Sequence, residues 1–220
     1  FLLHTKVTGV SQTPEGITVT YEQDGTEGTV CGEKLLMSVG RRPVLNGFGL
    51  ENLNLELTER RNVKVDEHLQ TSVPGVYVCG DLNGVSLLAH TAVREAEVAV
   101  NHILGRNDAM SYRAIPGVVY TNPEIASVGM SEEALQASGV SYRTVKLPMA
   151  YSGRFVGVDG VCKVLLADDD TLLGVHLLGN PASELIVMAG MMIEDRRKLS
   201  EWKRYVFPHP TVGEIFRELI

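Results

Sequence analysis

Residues 76–90 read VYVCGDLNGVSLLAH, and this stretch decides the fold class. A strand over Gly75–Cys79, rich in apolar and β-branched residues, is predicted to end at Gly80-Asp81. A helix over Ser86–Leu104 is predicted to follow, because apolar residues recur at helical spacing and Gly105 comes directly after. The residues that share one helical face are Leu88, Ala92, Ala96, Val100 and Ile103. A strand that leads at once into a helix indicates an α/β arrangement.

The corner between this strand and this helix is a candidate ligand site. Open α/β sheets bind ligands at the carboxyl ends of their strands. Gly80 lets a ligand approach the backbone, Asp81 can accept hydrogen bonds from a sugar or polyol, and the helix start offers free N–H groups. A plain strand–turn–helix corner, with His90 as a packing residue, explains the same pattern, so both interpretations stay open.

The rest of the chain predicts strands before this stretch and a mixture of strands and helices after it. The strands expected before it are Lys6–Val10, Gly16–Tyr21, Gly28–Cys31, Lys34–Val39 and Asn62–Asp66. Those expected after it are Gly117–Tyr120, Tyr142–Leu147, Gly160–Ala167 and Leu172–Leu178. Helices are expected over Ser131–Ala137, with Ser131 as N-cap, over Pro181–Glu194, with Asn180 as N-cap, and from Pro210 to the C-terminus. A boundary is predicted near Asn107–Ser111.

A second candidate site lies near the C-terminus, where residues 207–214 read FPHPTVGE. Two prolines restrict the backbone around His209, which suits a side chain that must be aimed. An imidazole can move a proton near neutral pH, and a carboxylate such as Glu214 can orient it. Thr211 and Glu214 also have the spacing of a capping box, so the residues alone leave a catalytic base and a plain helix start equally open.

Composition excludes several other functions. The net charge of −7 argues against nucleic acid or an anionic membrane as the main partner. No apolar run approaches the roughly 20 residues that span a bilayer. The three cysteines, Cys31, Cys79 and Cys162, are odd in number and far apart, so we expect buried thiols and neither a disulfide framework nor a metal site.

Five motifs, in the same order, resemble the flavin-dependent pyridine nucleotide–disulfide oxidoreductases over the full length of the chain. They are VGRRP at 39–43, residues 71–81, LLAH at 87–90, TNPEIASVG at 121–129 and HPTVGE at 209–214. The last two, together with Phe216-Arg217-Glu218, resemble the dihydrolipoamide dehydrogenases of this family more than its glutathione or mercuric reductases.

The resemblance implies a fold of the α/β and α+β classes, in which the trailing part of an FAD/NAD-binding domain is followed by a reductase dimerisation domain. Residues 1–41 would be the trailing strands of the NAD-binding domain and residues 42–110 a central FAD-binding segment. Residues 111–220 would be the dimerisation domain, through which a homodimer forms.

The resemblance also implies a role for each candidate residue. Asp81 would hydrogen-bond the ribityl–phosphate region of FAD, and Gly40 would lie beside the bound nicotinamide nucleotide. His209 would accept a proton from the dithiol substrate, oriented by Glu214, at the flavin of the partner subunit. Backbone contacts to the pyrimidine edge of the flavin would come from Leu87, Leu88, Ala89 and His90.

The chain departs from the family pattern in what it lacks. No G-x-G-x-x-G fingerprint and no closely spaced cysteine pair is present, and Phe207-Pro208 stands where many members have His-Ala. We therefore expect a carboxyl-terminal fragment of a cytoplasmic enzyme that oxidises dihydrolipoyl groups or lipoamide with NAD, and we expect the fragment alone to be inactive and without FAD. The alternatives are a non-catalytic dimerisation or interaction module, or another disulfide reductase of the same superfamily.

Overall fold

The computed structural model describes residues 1–157 and 159–219, which divide into two units, Phe1–Arg42 and the residues from Pro43 onward. The first unit is an antiparallel sheet in the order β1-β2-β3. Its strands are β1 (Thr5–Thr13), β2 (Gly16–Gln23) and β3 (Thr26–Gly32). Asp24 and Gly25 both have positive φ, as a two-residue hairpin loop requires. The three strands expected here are confirmed.

The fourth strand expected in this unit, Lys34–Val39, is wrong. These residues have no regular structure, and the side chain of Leu36 is 90% exposed. An apolar run becomes a strand only where a neighbouring strand takes up its backbone hydrogen bonds. No strand neighbours this segment within the described part of the unit, so its composition predicted a strand that does not form.

In the second unit, the strands expected over Asn62–Asp66 and Gly75–Cys79 are also wrong as regular elements. Only isolated bridges occur in these segments. The bridges pair Leu57 with Val63, Val65 with Thr71, and Gln70 with Tyr77. The two segments instead form a looped layer on a small core of Leu69, Val98 and Ala99, because they find only single bridges and no continuous ladder.

The helix after the Gly80 corner is confirmed, and α1 spans Ala89–Ile103. It starts three residues later than expected, and a different face is buried. Its buried residues are Thr91, Glu95, Val98 and Ala99, whereas Val100 and Ile103 are mostly exposed. Helical periodicity identifies an apolar stripe, but the packing of the looped layer decides which side of α1 is covered.

The remaining strands form an antiparallel sheet in the order β4-β5-β8-β7-β6. Its strands are β4 (Gly117–Val119), β5 (Ile125–Gly129), β6 (Arg143–Pro148), β7 (Val161–Leu166) and β8 (Leu172–Leu178). The four strands expected here are confirmed to within two residues at each end. The sequence did not predict β5, which lies inside the TNPEIASVG segment and pairs with β8.

Two helices flank this sheet, and they differ in how their amino-terminal ends are capped. As expected, Ser131 caps α2 (Glu132–Ser138) by accepting a hydrogen bond from the Ala134 N–H at 3.2 Å. The expected Asn180 cap of α3 (Ala182–Glu194) is wrong, because its Oδ1 accepts from the Glu124 N–H. The Glu124 carboxylate instead accepts from the Ser183 N–H at 2.9 Å, so a residue distant in sequence caps α3.

The last residues close the core of the second unit. A 3-10 turn over Val212–Glu214 leads into α4 (Ile215–Glu218), which is shorter than the expected final helix, and Ile220 lies outside the described residues. Phe216 packs edge to face on Trp202, with ring centroids 4.2 Å apart. Both rings are buried between α3 and the carboxyl-terminal segment.

The cysteines differ from the prediction of three buried thiols. Only Cys162, on the interior strand β7, is buried, and burial raises the pKa of its thiol to about 12. Cys31 and Cys79 are exposed, because the first lies on an edge strand of the small sheet and the second lies in the segment that forms no regular strand.

Candidate active site

The His209 side chain lies beside Glu214, as the sequence suggested. The imidazole Nδ1 is 2.9 Å from Oε1 of Glu214. The other carboxylate oxygen, Oε2, accepts the Thr211 N–H at 2.7 Å. Glu214 therefore makes the contacts that both interpretations require, since it accepts a hydrogen bond at the start of the final helical turn and also contacts the imidazole.

The charge of Glu214 determines which nitrogen of His209 can take a proton. The backbone hydrogen bond from Thr211, followed by the hydrogen bond from His209, lowers the pKa of the Glu214 carboxyl. An ionised carboxylate only accepts hydrogen bonds, so Nδ1 of His209 must carry the hydrogen that points to Oε1. This leaves the lone pair on Nε2 to act as a proton acceptor.

Two buried residues that follow Glu214 hold the His209 turn in place. The side chains of Ile215 and Phe216, directly after Glu214, are fully buried in the core. Above them, the Thr211 hydroxyl donates to the Pro208 carbonyl at 2.8 Å, which closes the turn. The fixed backbone holds an imidazole whose side chain is 80% exposed, while that of Glu214 is only 15% exposed. The pair thus combines a largely covered carboxylate with an accessible imidazole.

The Gly80 corner is the second candidate site. Gly80 has a φ of 75° and begins a 3-10 turn, Gly80–Leu82, in which Asp81 is exposed. Leu88 is the N-cap of α1 and makes no side-chain capping bond, so the first N–H groups of the helix stay open to a ligand. Leu87 and Ala89 are exposed beside it, and His90 Nε2 lies 2.9 Å from the Pro116 carbonyl oxygen. The His90 ring is thus within hydrogen-bond distance of Pro116, while its backbone lies at the helix start.

One residue of this corner was missed by sequence reasoning. The carboxylate of Glu95, on α1, is fully buried and accepts the Gly80 N–H at 2.5 Å. It also accepts the Tyr112 hydroxyl at 2.6 Å. Glutamate on a helix is ordinarily solvated, so no local pattern signals a buried one.

Not every predicted site residue belongs to the unit that holds these two sites. Gly40 lies in the first unit, in exposed coil with a φ of 95°, whereas Asp81 and His209 lie in the second unit. Among the described residues, no hydrogen bond joins the Gly80 corner to the His209 turn. No cluster of histidine, cysteine or carboxylate side chains in the described residues could hold a metal ion, and no helix there is long and apolar enough to cross a membrane.

The motifs, the five-stranded sheet and the carboxyl-terminal pair agree with the class of protein that comparison with known families identifies. The sequence matches the pyridine nucleotide-disulphide oxidoreductase family over residues 1–96 and the dimerisation domain of the same oxidoreductases over residues 115–220. The chain belongs to this family.

Individual relatives agree with this assignment. The chain is 41% identical to the mitochondrial dihydrolipoyl dehydrogenase of Caenorhabditis elegans over 99% of its own length and 45% of the relative. It is 36% identical to the dihydrolipoyl dehydrogenase of Geobacillus stearothermophilus over 96% of its own length and 46% of the relative. The chain therefore spans about half the length of the curated relatives that it matches.

Solved structures show the same fold. LpdA from Mycobacterium tuberculosis superposes with a TM-score of 0.85 at 28% identity, over 98% of this chain and 48% of that one. The flavoprotein disulfide reductase RclA from Escherichia coli superposes with a TM-score of 0.80 at 24% identity, over 96% of this chain and 49% of that one. The second likeness supports the fold alone.

Proposed function

We propose that this chain is the part of an NAD-dependent dihydrolipoyl dehydrogenase that supplies the catalytic base. The observation that carries the proposal is the His209–Glu214 pair, in which Nδ1 is bound and the exposed Nε2 is open. The similarity to dihydrolipoyl dehydrogenases over nearly the whole chain supports this choice of substrate within the family.

In this proposal, His209 Nε2 accepts a proton from a thiol of the dihydrolipoyl substrate. Loss of that proton leaves a thiolate, which is the nucleophilic form of sulfur. The Glu214 carboxylate stabilises the imidazolium that forms, because the hydrogen bond between them is then charge-assisted. The redox disulfide and FAD, supplied from outside this chain, would carry the electrons to NAD.

The Gly80 corner fits the ribityl–phosphate part of FAD. The Asp81 carboxylate is exposed, and the open N–H groups at the start of α1 suit an anionic group. Leu87, Leu88, Ala89 and His90 would offer backbone contacts to the flavin, and Gly40 would lie beside the nicotinamide nucleotide. We expect the 220-residue chain alone not to retain FAD, and the visible flavin absorbance of the purified chain tests this.

The second unit also supports a homodimer formed through residues 111–220. Next to Pro208 lies an apolar cavity of about 320 Å³ lined by methionines of α3 and by Val206. Met191 and Val206 are exposed there, as at a surface that a second subunit covers. An exposed base beside such a surface suits a site completed by the partner subunit. Sedimentation of the chain at rising concentration tests this, and a strict monomer would contradict it.

The substrate would be a lipoyl-bearing protein or free lipoamide, and we propose a cytoplasmic location for the enzyme. Relatives named as mitochondrial share 35% to 41% identity with the chain, so cell fractionation is the direct test of location. Nucleic acid and membranes are not expected partners, since the chain carries a net charge of −7. A substrate profile of lipoamide against glutathione separates this proposal from another disulfide reductase.

The sharpest test is His209→Gln in the full-length flavoprotein, with His4→Gln as the control. His4 is an exposed histidine of the first unit. Because general base catalysis contributes about 100- to 10,000-fold, the first variant should lose that much lipoamide-dependent NAD reduction while its flavin absorbance stays normal. Near-normal turnover of His209→Gln would remove this residue from the mechanism. The 220-residue chain alone should show no turnover.

A further inference from the structure

A buried carboxylate, that of Glu95, contacts the backbone of the Gly80 corner and takes no part in the proposed reaction. Glu95 is fully buried, and both hydrogen bonds described for its carboxylate come from neutral donors, the Gly80 N–H and the Tyr112 hydroxyl. Removing a carboxylate from water costs several kcal/mol unless hydrogen bonds compensate for the loss. A feature with that cost, placed directly under an exposed turn, requires an explanation other than packing.

The surroundings of Glu95 are polar as well as buried. Five polar or charged side chains are buried in the described residues, and three of them, Asn83, Thr91 and Glu95, lie at this corner. Thr91 pairs with the Ser86 hydroxyl at 2.9 Å, and Asn83 accepts the Val85 N–H at 3.0 Å. Each of these bonds constrains the backbone between Gly80 and the start of α1. The underside of the corner is thus a hydrogen-bonded frame and not an apolar core.

Glu95 holds a residue of this frame, Gly80, whose backbone is left-handed. Gly80 adopts a φ of 75°, and a Cβ atom there would lie only 3.3 Å from the Ala92 Cβ, so the turn is close to α1. The bond from the Gly80 N–H to Glu95 fixes the Cys79–Gly80 peptide plane, at the start of the turn that carries Asp81. The Tyr112 hydroxyl holds the other carboxylate oxygen, and burial followed by this bond raises the pKa of Tyr112, which keeps it a donor.

We propose that Glu95 is a positioning residue for flavin binding. Through the Gly80 N–H and the Tyr112 hydroxyl, it holds the Gly80–Leu82 turn in the one conformation that presents Asp81 to the ribityl–phosphate part of FAD. This inference rests on the proposed function, because it assumes that FAD binds at the corner. It adds a residue that touches no cofactor and acts only through the backbone of the turn.

The test compares Glu95→Leu with Glu95→Gln in the full-length flavoprotein, with FAD affinity measured by reconstitution of the apoprotein. Leucine fills a similar volume but accepts no hydrogen bond, so it leaves the Gly80 N–H and the Tyr112 hydroxyl without this acceptor. Glutamine keeps an acceptor for the Gly80 N–H. We expect the dissociation constant of FAD to rise about tenfold or more with leucine and less than about threefold with glutamine, since the hydrogen bond from the Gly80 N–H is lost only with leucine.

The control is Glu97→Leu, an exposed glutamate on the same helix, which should bind FAD as the wild type does. The visible circular dichroism of the bound flavin, which reports its orientation, should change with Glu95→Leu alone. If the leucine and glutamine variants bind FAD equally well, or weaken equally, positioning by this hydrogen bond is wrong.

A second variant decides the question if Glu95→Leu yields no folded protein. Tyr112→Phe keeps the bond to Gly80 but frees the other carboxylate oxygen, so the dissociation constant should rise about threefold, and an unchanged value would overturn the proposal. Asp81→Asn separates the two levels of inference. If the wild type binds no FAD, the proposed function itself fails. If Asp81→Asn weakens binding and the Glu95 series does not, only this inference fails.

Discussion

The two candidate sites of this chain are built in opposite ways. The His209 turn is local, since its base, its carboxylate and the backbone groups that hold them lie within seven residues, Pro208–Glu214. The Gly80 corner depends on distant residues, since its turn is held by Glu95, fifteen positions away, which is held in turn by Tyr112. The proposed catalytic base is thus set by a short segment on a buried anchor, whereas the proposed cofactor corner needs several parts of the chain to be in place together.

The largest expected effect is on stability, and it comes from Phe216, which anchors the His209 turn in the core. Phe216→Ala removes a fully buried ring that packs on Trp202. It should lower the free energy of unfolding by about 3–5 kcal/mol, because the protein loses both apolar burial and packing. Urea unfolding of the variant, compared with the control Phe48→Ala at an exposed position, measures this. A loss below about 1 kcal/mol would mean that the turn does not depend on this anchor.

A smaller effect, on turnover, is expected when the carboxylate of Glu214 is replaced. Glu214→Gln removes the anionic partner of the imidazolium, so lipoamide turnover in the full-length protein should fall about 10- to 100-fold. FAD affinity should not change, because the Gly80 corner shares no hydrogen bond with this turn in the described residues. Glu218→Gln, at an exposed position of α4, is the matched control. A variant that loses FAD as well as turnover would show that the two sites are coupled after all.

The smallest expected effect is a change of stability with pH that depends on Asp108, which is hydrogen-bonded to Arg94 on α1. Hydrogen bonds from Arg94, and then from Asn101, lower the pKa of Asp108 from 3.8 to about 2. A carboxylate with a lowered pKa contributes stability that is fully present above its unfolded pKa and is lost as pH falls through the folded one. The contribution of Asp108 should therefore be complete above about pH 4 and disappear towards pH 2.

Urea unfolding at pH 5.5 and at pH 2.5 checks this expectation. Asp108→Asn should be less stable than the wild type at the higher pH, and the difference should shrink at the lower one. The exposed Asp159→Asn is the control and should show no such change. A difference that grows as pH falls would contradict the assignment of this pKa shift.

The sequence by itself determined the features that depend on neighbouring residues. The hairpin at Asp24-Gly25, the Ser131 cap of α2 and four strands of the large sheet follow from turn chemistry, capping and alternation, which act over a few residues. The His209–Glu214 contact belongs with them, because the spacing that makes a capping box also brings the carboxylate to the imidazole. The five ordered motifs were also enough to predict the family.

Only the tertiary structure decided the rest, because those features need residues that are far apart in the chain. Lys34–Val39 had the composition of a strand and found no neighbour, and α1 buried Glu95 where periodicity favoured Val100. Glu124 took the capping position expected of Asn180, since the approach of β5 to α3 brought a carboxylate to the open N–H groups. Local patterns predict what a segment can form, but the hydrogen bonds and burial that select among those forms come from other parts of the fold.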